Sequence, residues 1–297
     1  MSEDGGSVPA TNVFVAHRDL LFTIAYEMLG SAADAEDVLQ ETWLRWVNVD
    51  LDAVRDHRAY LVRITTRQAL TRLRTLRRRR EAYVGPWLPE PLLTTRDVAE
   101  DVELANNVSL AMLLVLETLT PTERAVFVLR EVFEYGYDEI AEAVGKSPAA
   151  VRQIAHRARA HVAARRPREP VTPAQVRTVL DAFQRALETG DLQGLLDVLA
   201  PDVVAVSDGG GIKKALPRPV AGADKVARLM AAALDMLADA RLELAQINGF
   251  PAFILRLNEE IDSVVAVQVD AGLVTGIYTV RNPAKLSRIE QETTLRR

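Results

Sequence analysis

The sequence predicts a multidomain protein in which two all-α domains precede an α+β domain with an antiparallel sheet. Apolar residues recur at spacings of three and four through residues 13–80 and again through 108–166, which is the period of amphipathic helices. Proline-rich segments at 85–91 and 165–170 separate the blocks. Beyond residue 171, two helical stretches accompany short strands divided by Gly, Asn and Asp turns, and this pattern indicates hairpin-linked strands.

The composition is that of a globular protein without cysteine chemistry. The 297 residues suffice for two or three domains, with 48% hydrophobic and 26% charged residues. The absence of cysteine excludes disulfides, thiolate zinc sites and a cysteine nucleophile, and it fits a reducing cytoplasm. No metal, cofactor or catalytic residue is predicted.

No targeting or membrane segment is apparent. Residues 1–12 lack an apolar core of signal-peptide length, and the longest apolar stretch, 110–116, is far shorter than the roughly 20 residues that span a bilayer. We therefore expect a soluble cytoplasmic protein without membrane contact.

Positive charge is concentrated in two segments, although the net charge is −5. Residues 55–80 contain ten arginines and one acidic residue, and residues 146–168 contain seven Lys or Arg and no acidic residue. Two basic patches in an acidic chain favour two contacts with a polyanion, because cationic side chains that neutralise phosphates release counterions. Two solvated helix faces are the alternative.

Capping patterns place the helix boundaries of the two α blocks. Ser31 and Asp34 predict a helix that begins there and continues through Trp46. Thr120 with Glu123, and Pro121 at the first helical position, predict a second helix that extends to about Phe133. The proline-rich segment 85–91 between the blocks is predicted to be a linker or an extended docking segment.

A helix-turn-helix pattern occupies residues 137–163. Gly145 permits the tight turn, Ser147 can cap the second helix, and Pro148 suits its first position. On a helical wheel the second helix has one apolar face and one face free of carboxylates. The exposed face carries Arg152, Gln153, His156, Arg157 and Arg159. The first three are predicted to read bases and the last two to hold phosphate, with Ser147 beside them; an ordinary helical hairpin is the alternative.

The α blocks resemble sigma factors of bacterial RNA polymerase. Residues 108–166 resemble region 4, which reads the minus-35 element, and Ala35–Arg45 matches the region 2 segment that contacts the clamp helices of core polymerase. The resemblance assigns core binding to Asp37, Gln40, Glu41 and Arg45. Spacings of three and four place the first three on one helix face. The implied partners are promoter DNA and core polymerase, through its beta-prime clamp helices and beta flap.

Residues 58–74 resemble the sigma helix that opens the minus-10 element. The preceding loop, about 47–56, is where extracytoplasmic-function (ECF) sigma factors capture an unstacked base, which requires a polar pocket and cationic groups. The minus-10 candidates are Asn48, Tyr60, Arg63, Arg67 and Arg74. Tyr60 stands where the family usually has tryptophan, and Thr71 where aspartate is common. The run 77–80 is predicted to bind phosphate without sequence preference.

The chain further resembles SigJ-like ECF sigma factors that carry a C-terminal SnoaL-like domain, a cone-shaped fold of the nuclear transport factor 2 type with a curved sheet. The shared segments are a Trp-Leu-Pro-Glu-Pro linker (Trp87, Leu88, Pro89, Glu90, Pro91), an Asp-Gly-Gly-Gly segment (Asp208, Gly209, Gly210, Gly211) and an Asn-Pro-X-Lys segment (Asn282, Pro283, Lys285). Ile212 replaces the lysine that often follows the glycines.

This resemblance implies a division into region 2 at 11–80, a linker at 81–107, region 4 at 108–168 and a regulatory domain at 171–297. The regulatory domain is expected to dock on regions 2 and 4, with the three motifs at the contact, in a chain that is monomeric when free.

Two alternatives to a sigma factor stay open at this point. One is a helix-turn-helix regulator that never joins polymerase, and it leaves the 35–45 segment unexplained. The other is an enzyme of the polyketide-cyclase or isomerase type with a DNA-binding appendage, in which Asp208 would be an acid or base and the C-terminal domain would hold a small ligand. A histidine base is unavailable there, because all four histidines precede the domain. A turn made by Asp208 and its glycines is favoured.

Overall fold

The computed structural model describes residues 7–165, 171–234 and 240–297. The chain forms two compact units, a first unit of residues 7–81, 115–165 and 294–297 and a second of 82–114, 171–234 and 240–293. Three predictions fall partly on residues outside the described ranges: the polar N-terminus, the boundary at 165–170 and the end of the helix expected at 224–238. The four-part division of the sequence stays a prediction.

The secondary structure agrees with the predicted classes of its blocks. The helices are α1 (Ser7–Leu29), α2 (Ala32–Trp46), α3 (His57–Arg80), α4 (Arg96–Glu100), α5 (Val102–Val108), α6 (Leu110–Glu117), α7 (Pro121–Phe127), α8 (Tyr137–Val144), α9 (Pro148–Ala163), α10 (Pro173–Thr189), α11 (Leu192–Val198), α12 (Ala223–Leu234) and α13 (Pro283–Leu286). The strands are β1 (Leu199–Asp208), β2 (Val220–Ala221), β3 (Ala240–Ile247), β4 (Phe250–Leu257), β5 (Glu260–Asp270) and β6 (Leu273–Val280). A 3-10 turn lies at Leu51–Ala53. No helix among the described residues is long and apolar enough to cross a membrane.

The predicted helix starts of the first unit are confirmed. The Ser31 hydroxyl accepts a hydrogen bond from the Asp34 amide at 3.2 Å and begins α2. Thr120 and Glu123 form a capping box with Pro121 at the first position of α7. The expected continuation to Phe133 differs in its last turn, because a π-helical turn occupies Val128–Val132.

The second unit contains one mixed sheet in the order β2-β1-β6-β5-β4-β3. Strands β3 to β6 form an antiparallel meander, but β1 and β6 are parallel. The expectation of an entirely antiparallel sheet is therefore corrected at this one pair. The chain between β1 and β6, which passes through β2, α12 and strands β3 to β5, allows the change, because parallel neighbours need a crossover rather than a hairpin. Register shifts in β1, β4 and β5 mark bulges, which bend strands.

Both sides of this sheet are covered by apolar side chains. Helices α10, α11 and α12 contribute to one buried cluster, whose members include Leu180, Phe183 and Val226. A second cluster combines sheet residues with Leu88 and Leu110 of segment 82–114. That segment, expected as a linker up to residue 107, also contains α4 and α5. It is therefore a docked part of the second unit.

Candidate functional site

One face of α2 presents polar and apolar side chains to solvent. Asp37, Gln40, Glu41 and Arg45 are all exposed, and Leu44 among them is 64% exposed. The Asp37 carboxylate accepts a hydrogen bond from Arg72 of α3 at 2.7 Å. The predicted core-binding residues thus share one accessible face, with an exposed leucine that the sequence interpretation did not include.

Two arginines of α3 are held by one residue of the helix-turn-helix. Arg63 forms an ion pair with the Glu142 carboxylate of α8 at 3.1 Å, and Arg67 donates to the Glu142 carbonyl at 2.8 Å. The Arg63 guanidinium also lies 4.8 Å from the centroid of the Tyr60 ring. In this conformation, these two cationic groups are engaged within the first unit.

The remaining candidates on and before α3 have different surroundings. The Asn48 amide donates to the Leu44 carbonyl at 2.8 Å and closes the end of α2. The Tyr60 ring lies 5.8 Å from the ring of the buried Trp46. Arg74 is exposed and lies roughly 17 Å along the helix from Arg63, at 1.5 Å per residue. The structure thus does not gather all five residues at one point.

The helix-turn-helix has the predicted local geometry. Gly145 adopts a left-handed conformation with φ of 67°, and the Ser147 hydroxyl accepts from the Ala150 amide at 3.3 Å. Along α9, the apolar face is buried. The exposed side chains that line a shallow surface concavity are those of Arg152, Gln153, His156 and Arg157. The predicted apolar and polar faces of this helix are confirmed.

Carboxylates from neighbouring elements border this polar face. Arg159 donates to both Glu131 carboxylate oxygens, at 2.7 and 3.1 Å, and Arg157 lies 3.8 Å from Glu123. No residue of α9 contributes a carboxylate to this face. The carboxylates that border it belong to Glu123 and Glu131, which precede the helix-turn-helix.

The linker motif is docked on the sheet of the second unit. Leu88 is 1% exposed and Glu90 is 3% exposed. Pro89 and Pro91 are also buried, and Trp87 is half-buried. The interpretation of this segment as an extended docking segment is confirmed.

The Asp208 carboxylate at the end of β1 organises the docked linker. Asp208 is completely buried. One oxygen accepts from the Tyr83 hydroxyl at 2.6 Å and the Gly210 amide at 3.0 Å. The other accepts from the Leu88 amide at 2.9 Å and the Lys285 ammonium at 2.6 Å. A carboxylate offers about four lone-pair sites, so these donors saturate it. This favours the structural interpretation of Asp208 over an acid or base.

The Asn-Pro-X-Lys segment completes this arrangement. The Asn282 carboxamide oxygen caps α13, of which Pro283 is the first residue, and its nitrogen donates to the Tyr83 hydroxyl at 2.7 Å. The Lys285 ammonium lies 4.2 Å from the Trp87 ring centroid and 5.1 Å from that of Tyr83. Burial and the hydrogen bond to Asp208 raise the pKa of Tyr83, so its hydroxyl remains a donor.

The glycines after Asp208 allow neighbouring groups to approach the backbone more closely than any side chain would permit. A Cβ at Gly209 would lie 2.1 Å from the Lys213 carbonyl oxygen, and one at Gly210 would lie 2.3 Å from the Asn282 amide nitrogen. Gly210 and Gly211 also have φ of 63° and 73°, which L-residues rarely adopt. Lys213, one place after the substituted Ile212, forms an ion pair with the buried Asp262 at 3.0 Å.

Sequence reasoning missed Tyr83, Glu142 and Asn248. Asn248 lies in the β3–β4 turn and bonds the linker, accepting from the Leu92 amide at 2.9 Å and donating to the Val108 carbonyl at 2.8 Å. An Asn-Gly pair between strands signals a hairpin, but it does not indicate that Asn248 also bonds the segment 82–114.

Within the described ranges, no group of three or more His, Asp or Glu is placed to hold a metal ion.

Known families match both helical blocks. Residues 13–79 match the model of sigma-70 region 2, and residues 109–162 match the model of sigma-70 region 4. The first match contains α2 and all but the last residue of α3, and the second contains all but the last residue of the helix-turn-helix.

Individual relatives extend the similarity to nearly the whole chain. The chain is 34% identical over 288 residues to the ECF RNA polymerase sigma factor SigJ of Mycobacterium tuberculosis, covering 92% of each sequence. It is 32% identical over 241 residues to SigG of that species, another ECF RNA polymerase sigma factor, covering 69% of this chain and 64% of SigG. The crystal structure of M. tuberculosis SigJ matches with a TM-score of 0.77 at 32% identity, covering 94% of this chain and 99% of SigJ.

These similarities exclude the interpretation of the chain as a helix-turn-helix regulator of another kind, since both sigma regions occur in their family order and the SigJ similarity includes the C-terminal domain. The chain therefore belongs to the ECF family of RNA polymerase sigma factors and is a promoter-specific transcription initiation factor.

Proposed function

We propose that this sigma factor binds core polymerase through the exposed face of α2. It contacts the minus-10 element of the promoter through α3 and the minus-35 element through α9. Its C-terminal domain, residues 171–297, regulates this activity in cis. The proposed polymerase contacts are the beta-prime clamp helices and the beta flap. The observation that carries the regulatory part is the saturated Asp208 carboxylate, which ties the linker to the C-terminal domain. Since polymerase and promoter DNA are cytoplasmic in bacteria, the proposed location is the cytoplasm.

Charge reversal on α2 is the first test. The family resemblance implies that Glu41 meets basic residues of core polymerase. We expect Glu41→Lys to weaken binding to purified core polymerase at least about tenfold, because a like charge across an interface costs several kcal/mol. Glu41 is exposed, so the variant should unfold at the parent temperature. Biolayer interferometry with immobilised core enzyme measures the affinity. Glu188→Lys on α10, another exposed carboxylate, is the control, and equal losses in both variants would contradict the assignment.

Release of the α3 arginines is the second test. Glu142→Gln removes the carboxylate that holds Arg63, and Glu142 is 68% exposed, so the free energy of unfolding should change by less than about 1 kcal/mol. We expect about two- to fivefold tighter binding of single-stranded DNA at low salt, because an arginine is freed and a like charge to phosphate is removed. Fluorescence anisotropy of a labelled oligonucleotide measures this. Glu36→Gln weakens the Arg18–Glu36 pair between α1 and α2, away from α3, and should leave the affinity unchanged. An unchanged affinity for the Glu142 variant would refute the prediction.

Regulation in cis would act through the docked segment. Residues 82–114 belong to the same unit as the sheet of the C-terminal domain, while the region 4 match begins at residue 109. Release of residues 82–114 from the sheet would therefore free the first residues of region 4 from the unit that contains the C-terminal domain. At the other end of the domain, the Arg296 amide donates to the Thr23 hydroxyl of α1 at 3.0 Å, so the terminal residues pack with region 2.

Run-off transcription with purified core enzyme tests the regulation. The full chain is compared with a chain that ends at Arg168 and with the point variant Lys285→Met, which removes one donor to Asp208 while retaining the domain. Both changes should alter the transcript yield in the same direction. Unchanged yields in both would exclude regulation by this domain.

An enzymatic C-terminal domain has less support. The Asp208 oxygens are occupied by four donors, and apolar residues, among them Phe183 and Phe253, fill the layer between sheet and helices. We infer that the domain holds the linker rather than catalyses a reaction. Its binding of a small ligand stays a prediction.

A further inference from the structure

The π-helical turn before the helix-turn-helix contains two charged residues that contact the residues after it. Such a turn contains an extra residue, which re-aims the side chains that follow, and it is frequent at functional sites. Here the turn contains Arg130 and Glu131. Glu131 holds Arg159 through both carboxylate oxygens, and Arg130 donates to the Tyr135 carbonyl at 2.9 Å.

Tyr137 connects this turn to the polar face of α9. The Arg130 guanidinium lies 4.8 Å from the Tyr137 ring centroid, and the Arg152 guanidinium lies 5.8 Å from the same centroid. Both distances are within the range of cation–π attraction. One aromatic ring, at the first position of α8, thus contacts an arginine of the π turn and an exposed arginine of the proposed DNA-reading helix.

A long arginine side chain loses much rotamer freedom when it is ordered. If a neighbouring ring restricts the rotamers of the arginine before DNA binds, binding costs less conformational entropy. The guanidinium plane is then also oriented in advance for two parallel hydrogen bonds to a base edge. Arg152 is in the second turn of α9 and exposed, where base contacts occur in helix-turn-helix proteins.

We propose that Tyr137 is a positioning residue that orients Arg152 for base recognition and thereby sets sequence preference in the minus-35 element. The inference rests on the proposed function of α9. Tyr137 need not touch DNA, so its effect should be on discrimination between bases rather than on general attraction to phosphate.

The test uses the full chain with core polymerase and a promoter library randomised in the minus-35 element. Arg152→Ala should abolish the preference at one or two base pairs. Tyr137→Leu should reduce the preference at those same base pairs about three- to tenfold, with an unchanged dependence of total binding on salt. Tyr137→Phe, which retains the ring, should keep the parent preference, and this rescue separates positioning from a loss of fold.

The outcomes distinguish the inference from its basis. If Arg152→Ala changes no base preference, α9 does not read DNA through Arg152, and both the site assignment and the inference fail. If Arg152→Ala changes the preference but Tyr137→Leu does not, only the positioning role is overturned. Should the leucine variant unfold below the assay temperature, Tyr137→Gln provides the second ring deletion, with the same expected loss.

Discussion

Replacing Asp208 with Asn is expected to lower the free energy of unfolding by about 3 kcal/mol, because it leaves the largely buried ammonium of Lys285 without its counter-charge. The Lys285 ammonium loses the carboxylate at 2.6 Å, and the new amide group places donors opposite the Tyr83 hydroxyl or the Leu88 amide. Urea unfolding measures the loss. Asp202→Asn, an exposed carboxylate on the same strand, should change the stability little.

The same substitution should release the linker from the sheet. Leu88 and Glu90 are buried only while the segment is docked, so cleavage between residues 82 and 95 by a nonspecific protease should accelerate in Asp208→Asn and not in Asp202→Asn. A double variant with Lys285→Met should cost much less than the sum of the two single changes, because both remove the same interaction. Additive losses, or parent-like proteolysis, would show that Asp208 does not hold the linker.

The second large effect concerns Glu27 of α1, whose substitution by Gln should stabilise the protein at pH 8 by roughly 1–3 kcal/mol. Glu27 is completely buried, and neither carboxylate oxygen has a hydrogen-bond partner among the described residues. Burial raises the pKa of Glu27 from 4.5 to about 8, although the nearby Arg124 opposes this change. Arg124 is itself engaged by Glu117.

The direction of the pH dependence follows from proton binding. Between pH 4.5 and 8 the folded state keeps the Glu27 proton while the unfolded state releases it, so the contribution of Glu27 to stability falls as pH rises through this window. Urea midpoints at pH 6, 7 and 8 should decline more steeply in the parent than in Glu27→Gln. Glu41→Gln, which changes an exposed carboxylate, should follow the parent. Parallel curves for the parent and Glu27→Gln would refute the shifted pKa.

Local patterns predicted much of the first unit. The caps at Ser31, Thr120 and Ser147 and the left-handed turn at Gly145 each involve residues within a few positions of one another, so their physical cause is visible in a short window. The amphipathic face of α9 follows from the same periodicity. The π turn at Val128–Val132 was missed, because it forms the last turn of its helix and too few helical residues follow it to reveal the shift in the apolar pattern.

Pairs distant in sequence were harder to predict. Tyr83 and Asp208 are separated by 125 positions, and Arg63 and Glu142 by 79, so no spacing rule connects them. Resemblance identified the three segments around Asp208 as a group, but not Tyr83. The burial of Glu27 was also hidden, because the surrounding part of α1 is covered on all sides and an amphipathic pattern reveals only one buried face.

The amino-acid pattern was thus sufficient for the two helical blocks, the caps at Ser31, Thr120 and Ser147, the helix-turn-helix and the family, since these depend on neighbours within a turn or two and on motifs that stay together in the chain. The folded chain was required to reveal the parallel β1–β6 pair, the four donors on Asp208, the capture of Arg63 by Glu142 and the Tyr137 ring between two arginines. Each of these depends on the path of the backbone between distant segments, and that path follows from packing of the whole unit rather than from any short stretch of residues.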